Sequence, residues 1–466
     1  MAGITDLPQE LVDSIIPLPY KPTAANIRIA SLAPDNSEDF TFFERRRALL
    51  SLGSTCRSLH RMLRDDLYGV VFITGQNKFQ KMLKLLRAID KDSELQVFGI
   101  TTQLCICPNN SDDDDTEKSY RSLRPKDIEY LKSATRKAGF TTVEKFWDTS
   151  KHEYPGEYHG PLKGKLFGHD HRLGLISQII LSRLPKIEGI EIPMSMLTMH
   201  YPAPKKLQAV RHSIRSLALT ETAQSGPRLE HVSKELGLFY KFRLGIKELC
   251  YENSCFGIEE ALFSFTMITR LVLHCCKFQQ TEVLEPVFKK LKHLETLVYT
   301  SDGKRAAPET VVGYLIRHRS ATLRTLVIEC PLTSYEHLEP VKSFEGLSVL
   351  SDLWIRGSNV VCSDARKKGQ AGVRSLPRTL RRLHIKGITA ALMRDAEWLR
   401  NEIGARLFPV MMEVAMEYDE PVPGSEKAGR PGLLYKTKAD PYPWMWDTST
   451  GLKEVLLPHN ESFISG

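Results

Sequence analysis

One spaced triplet, aliphatic-x-x-aliphatic-x-aliphatic, recurs along the chain: Ile187/Ile190/Ile192, Ile214/Leu217/Leu219, Ile246/Leu249/Tyr251, Ile268/Leu271/Leu273, Leu294/Leu297/Tyr299, Leu323/Leu326/Ile328, Leu350/Leu353/Ile355 and Leu380/Leu383/Ile385. A chain this rich in aliphatics yields some triplets by chance, so their spacing has to carry the inference. Successive triplets begin 27, 32, 22, 26, 29, 27 and 30 residues apart. Between them lie apolar positions at helical spacing: Ile258, Ala261, Leu262 and Phe265; Leu284, Val287, Phe288 and Leu291; and Val311, Val312, Leu315 and Ile316 behind Pro308. Each triplet therefore reads as a short strand preceded by an amphipathic helix. Such a pair cannot bury its apolar face alone, so neighbours must stack into a curved parallel sheet with helices outside, an irregular α/β solenoid.

The array is expected to begin at Val70-Val71-Phe72-Ile73, followed by Phe79, Met82, Leu86 and Ile89, then Leu95 and Val97. It is expected to close at Leu452, Val455 and Leu457, with Ala391 to Ala415 supplying helix. Residues 101–170 break the pattern with the acidic run Asp112 to Asp115 and the Pro/Gly-rich stretch from Pro155 to Gly168, and read as a loop insertion. A second such insertion falls near 421–432.

The first seventy residues differ. Asp6 can cap a helix with Pro8 in its first turn, and Leu7, Leu11 and Ile15 recur every four residues. A later stretch, Arg45 to Arg64, spaces Leu49, Leu52, Cys56, Leu59 and Leu63 by three and four. Leu7-Pro8-Gln9-Glu10-Leu11, then Leu50-Ser51-Leu52-Gly53-Ser54-Thr55-Cys56-Arg57-Ser58-Leu59, then Leu67-Tyr68 together resemble an F-box. The resemblance covers about one seventh of the chain. It departs from the family at a Pro-punctuated insertion near 17–43. It implies a helical unit over 1–68 that binds a Skp-type adaptor through Leu7, Pro8, Leu11, Ile15, Leu50, Leu52 and Leu59. Without the resemblance, the same residues read as a helical cap on the open end of a solenoid. The repeat length over 69–466 is similar to that of leucine-rich repeats, so the whole resembles a leucine-rich-repeat F-box protein, although the Asn or Cys that usually follows the strand is mostly missing, with Cys330 a partial match.

Composition adds limits. With 466 residues and 42% hydrophobic residues the chain can bury a large core. The net charge of +8 comes from 64 Lys and Arg spread among 56 Asp and Glu, and this spread argues against nucleic acid, which wants positive charge on one face. Nine cysteines without a framework suit a reducing compartment. The N-terminal residues lack a secretory pattern and no apolar run reaches spanning length, so cytosol or nucleus is expected.

No motif for an enzyme emerges. Cys105-x-Cys107 and Cys275-Cys276 lack zinc spacing, and His169-Asp170-His171 with His152 and His159 reads as solvated loop histidines. No nucleophile elbow, phosphate loop or dinucleotide fingerprint is present, so neither cofactor nor metal is expected.

Recognition is expected on the other face of the sheet, where the residues between the buried aliphatics point. The candidate target-binding set is Arg270, His274, Trp354, Arg356, Arg382, His384 and Lys386, in which Trp354 flanked by Arg356 and Arg382 offers the residue types that dominate interface hot spots. Trp354 either stands exposed between its arginines or packs beneath a covering segment such as 360–372. The expected function is that of a non-catalytic substrate receptor in an SCF-type cullin ubiquitin ligase, with an acidic or polar protein segment as target. The alternative is a repeat-protein interaction scaffold with no ubiquitin role.

Overall fold

The computed structural model describes residues 49–51, 54–55, 57–73, 77–92, 98–106, 123–140, 147, 170–193, 213–220, 245–252, 255–256, 266–274, 276–278, 281–300, 308–330, 341–360, 375–386, 408, 410–411, 413–417, 444–447 and 451–454. The chain divides into two compact units, Met1–Lys247 and Glu248–Gly466.

In the first unit, helices α1 (Arg57–Met62) and α2 (Arg64–Tyr68) lead directly into strand β1 (Val70–Ile73). Leu49, Leu63 and Leu67 pack together beneath Tyr68. Helix α3 (Lys78–Lys91) buries Phe79, Met82, Leu86 and Ile89, the stripe its sequence announced. Strand β2 (Gln103–Ile106) and helix α4 (Pro125–Ala138) then form inside the segment that reads as an insertion, which is thus partly built into the fold. Helix α5 (Asp170–Leu181) and strands β3 (Gly189–Pro193) and β4 (Ser216–Thr220) follow. The four strands pair in parallel in chain order, Val70 against Gln103, Gln103 against Gly189 and Gly189 against Ser216.

The strands of the second unit are β5 (Glu248–Glu252), β6 (Cys255–Phe256), β7 (Arg270–His274) and β8 (Lys277–Phe278). Helix α6 (Leu284–Lys290) precedes β9 (Thr296–Thr300), and α7 (Pro308–Arg319) precedes β10 (Thr325–Glu329). Strands β11 (Asp352–Arg356), β12 (Arg382–Lys386) and β13 (Glu413–Glu417) complete the run. The order β5-β7-β9-β10-β11-β12-β13 is parallel throughout, and Glu248, Arg270, Thr296, Thr325, Asp352, Arg382 and Glu413 lie in one register line. The short β6 and β8 form their own parallel pair just beyond β5 and β7.

Every residue of the eight triplets is buried. At 1.5–3 kcal/mol for each large aliphatic side chain, on the order of transfer energies, these rows are the main source of cohesion. Both faces are covered at mid-strand, as parallel sheets require, because β7, β10 and β11 each bury their three central residues.

Three expectations are corrected. Residues 341–350 ahead of β11 hold no helix; they bury Val341, Phe344, Leu347 and Leu350 in irregular backbone whose Val341 N–H donates to the Asn359 carbonyl (2.8 Å). The alternating β pattern Glu-Val-Ala-Met-Glu makes residues 413–417 a strand, not the end of a helix. Leu452 lies in β15 (Gly451–Glu454), which pairs antiparallel with β14 (Trp444–Asp447) and does not extend the parallel run. Val455, Leu457, Leu95, Val97, the helix drawn over 258–265 and the insertions at 17–43 and 421–432 lie outside the described residues, as does the acidic run at 112–115.

A side-chain clamp joins successive turns at the far ends of β10 and β11. Buried Asn359 donates through Nδ2 to the Cys330 carbonyl (2.9 Å) and accepts the Cys330 N–H on Oδ1 (3.1 Å). On the helix side Arg319 donates from Nε to the Phe288 carbonyl (2.6 Å) and from Nη2 to the Lys289 carbonyl (2.9 Å), satisfying the end of α6, which lacks its own partners there.

Candidate recognition face

Strand register determines which candidate residues meet. On β11 and β12, Asp352 stands opposite Arg382, Trp354 opposite His384 and Arg356 opposite Lys386. Arg270 and His274 are on β7, three strand positions from β11 across β9 and β10, or about 14 Å at the usual strand spacing. The seven residues therefore form one compact group of five and a separate pair.

Trp354 is buried at 2% exposure, so the exposed aromatic is corrected to a covered one. In-register parallel strands put the two middle side chains side by side, and the Trp354 and His384 rings lie 3.9 Å apart at 42°, with His384 also buried at 1%. Along the same row Cys250, Val272, Val298 and Val327 are buried too. The middle row is thus a floor, and polar groups at the strand ends form its two rims.

Those rims carry paired charge. Arg382 Nε lies 3.1 Å from Asp352 Oδ1, while Asp352 Oδ2 accepts from Ser351 Oγ (2.6 Å) and Thr325 Oγ1 (3.4 Å). Arg356 lies 3.7 Å from Glu329 on β10. His274 Nδ1 and Thr300 Oγ1 share a hydrogen bond of 2.7 Å. Lys386 and Glu417 occupy opposed positions on β12 and β13. Arg356 and Arg382 hold these partners with 25% and 34% of their side chains accessible. Cross-strand pairing of this kind orients a guanidinium.

At the N-terminal end, Leu50 is exposed at 49% and Leu59 is buried at 3%. Burial turns Leu59 into a core residue of α1 and removes it from the docking set, because a contact residue needs accessible surface. Leu7, Pro8, Leu11, Ile15 and the side chain of Leu52 lie outside the described residues.

A polar cluster on the first unit escaped the sequence. Asp127 on α4 pairs with Arg87 on α3 and closes a capping box with Arg124. Tyr130 donates to Asp90 (2.9 Å), Arg183 approaches Asp90 (3.5 Å), and the Arg87 guanidinium lies 5.1 Å from the Tyr130 ring centre. The hydrogen bond from Arg87 outweighs desolvation and, with Arg124, lowers the Asp127 carboxyl to about 2. Burial and the neighbouring Asp90 raise the Tyr130 hydroxyl. With both carboxylates engaged by arginines, the cluster clamps α4 to α3 and is not a nucleophile or base. The Arg87–Asp127 and Tyr130–Asp90 pairs each join residues forty apart, so no local motif announces them.

Among the described residues no group of His, Cys, Asp and Glu could hold a metal, and His152, His159 and His169 lie outside them. Within the described residues no helix is long and apolar enough to cross a membrane. The fold defines the chain as an α/β protein whose main strands run parallel in chain order within each unit, apart from the separate β6–β8 and antiparallel β14–β15 pairs. No model of a known protein family matches it, and no curated protein matches it.

Proposed function

We propose that this chain is the substrate-receptor subunit of an SCF-type cullin ubiquitin ligase, its N-terminal unit docking a Skp-type adaptor and its parallel strands holding a target protein. The observation that carries the reading is a junction: the F-box-like pattern ends on Leu67-Tyr68, and the first parallel strand begins at Val70. The junction is tied down, with Thr101 Oγ1 donating to the Tyr68 carbonyl (2.8 Å) and the Thr102 N–H to that of Gly69 (2.8 Å). An adaptor-binding helix fused without a linker to a recognition array is the arrangement a receptor needs. Exposed Leu50 supports the docking role.

Function here is proximity. The target is held near a ubiquitin donor carried by other subunits, and the local concentration of its lysines rises without any reacting group on this chain. The target contacts proposed are Arg356, Arg382 and Lys386 around the Trp354–His384 floor, with Arg270 and His274 as a separate contact, and an acidic or polar segment as ligand. Such a receptor works in the cytosol or nucleus.

Co-purification of the full chain with a Skp-type adaptor and cullin tests the reading. Wild type is expected to retain the complex, and Leu50→Asp or the pair Leu7→Asp with Leu11→Asp to lose it. Absence of the complex with wild type would leave the interaction scaffold as the better description.

A further inference from the structure

We infer that the second unit carries another recognition surface, the row of turn tips that lead into β7 through β13, and that it fits an acidic protein segment bearing spaced apolar residues. The same turn recurs before β9, β11, β12 and β13, while before β10 the Leu323 N–H donates to the Arg319 carbonyl (3.0 Å) and half-buried Thr322 holds the corresponding place. Leu294 N–H donates to the Leu291 carbonyl (3.1 Å), Leu350 to Leu347 (3.1 Å), Leu380 to Pro377 (3.1 Å) and Met411 to Phe408 (3.2 Å). Each turn buries its first residue and puts its third at the tip: His293, Val349, Thr379 and Val410. Met267 holds the equivalent place, three residues ahead of β7. Since the strand starts share one register line, the tips form a line as well.

Met267, Val349 and Val410 are exposed at 43%, 36% and 45%. Apart from Leu50 in the first unit, they are the exposed large hydrophobic residues among those described. A lone exposed aliphatic needs no explanation. Three at one structural position of one repeated turn do, because nothing in the turn itself asks for an apolar tip; His293 and Thr379 fill the same place.

Charge selects the partner. Exposed Lys292, Arg324, Arg378 and Arg381 stand beside these tips, against exposed Glu295 and Glu345. The strip is therefore cationic between its apolar points. Counting strand spacings, Met267 is about 14 Å from Val349, and Val349 about 10 Å from Val410. Helical rises of roughly three and two turns cover these distances. A single amphipathic acidic helix can meet all three points while its carboxylates face the cations. An anionic membrane fits less well, because it rewards contiguous apolar side chains that penetrate together, whereas these tips are separated by two and three strand spacings with cations between them.

The surface does not depend on the ubiquitin reading. The test uses the full chain and a fluorescent Glu/Ala-rich helical peptide with leucines about three and two turns apart, read by anisotropy. Saturable, salt-sensitive binding is expected. Arg378→Glu with Arg381→Glu should weaken it roughly tenfold and Val349→Ser with Val410→Ser several-fold, as for rim charges and exposed aliphatics at an interface. Replacing the peptide leucines with serine should weaken it to the same degree as the valine variant. All four substitutions are at exposed positions, and circular dichroism confirms that the variants stay folded. Equal binding by wild type and both variants overturns the proposal. So does failure of the peptide to bind, whether or not vesicles containing phosphatidylserine bind instead. The adaptor experiment reads Leu50 and is unaffected by either result.

Discussion

Replacing Asn359 with alanine isolates the energetic role of a single side chain that joins two turns. Asn359 is 1% exposed and Cys330 fully buried, and the amide makes two hydrogen bonds to the Cys330 backbone, at 2.9 and 3.1 Å. In Asn359→Ala both Cys330 groups lose this partner in a place water cannot readily reach. An unsatisfied buried donor or acceptor costs about 1–3 kcal/mol, and partial relaxation of the turn brings the pair to about 2–4 kcal/mol. Urea unfolding should show this as a lower midpoint with an unchanged slope, and hydrogen exchange should show faster loss at the Cys330 amide. Asn359→Asp keeps the acceptor and loses the donor, so the Cys330 amide should stay protected while stability still falls. A loss below about 1 kcal/mol in Asn359→Ala, with Cys330 exchange unchanged, would refute the clamp.

Other consequences can be measured. Arg319→Met removes the donors at the end of α6 and should cost about 2 kcal/mol by thermal unfolding, with the effect concentrated in α6 exchange. Trp354→Ala leaves a large cavity in the middle row of β11 and should cost about 3–5 kcal/mol, so Arg356→Ala and Arg382→Ala are the variants that test the proposed target contacts without it. Asp127 titrates in the fold near 2, below its ordinary 3.8, so its contribution is complete above pH 4 and fades as pH falls toward 2. At neutral pH Asp127→Asn should cost about 1 kcal/mol, reduced by the solvent around Arg87 and Arg124, and the difference from wild type should vanish near pH 2. Cys105, Cys250, Cys276 and Cys330 are buried free thiols and should resist alkylation until the protein is unfolded.

The strand triplets were legible because two signals agreed: a side-chain period that fixes one buried face, and a recurrence that fixes the stacking. β1 and α3 were read for the same reason. β2 was hidden because Gln103-Leu104-Cys105-Ile106 is short and opens on a polar residue next to a polar stretch. α4 was hidden because it buries Leu131 beside Ala134, Thr135 and Ala138, small residues that make a weak apolar stripe. The strand positions of the candidate residues were legible and their exposure was not. Alternation along a strand tells which face Trp354 takes, but whether that face is open depends on its neighbour, and the His384 ring is a property of pairing 30 residues away. Asn359 sits one residue beyond the place the leucine-rich pattern gives an Asn after Leu350/Leu353/Ile355, and only the folded chain reveals its partner, Cys330.

The shared register of the second unit has a mechanical consequence. Load applied along the order β5-β7-β9-β10-β11-β12-β13 meets a series of nearly equal short ladders, each of four or five register pairs. Such a stack yields like a zipper, one strand at a time from an end, instead of breaking as a single block. A force trace would then show small repeated steps, with one larger step where the β10 and β11 turns are tied together.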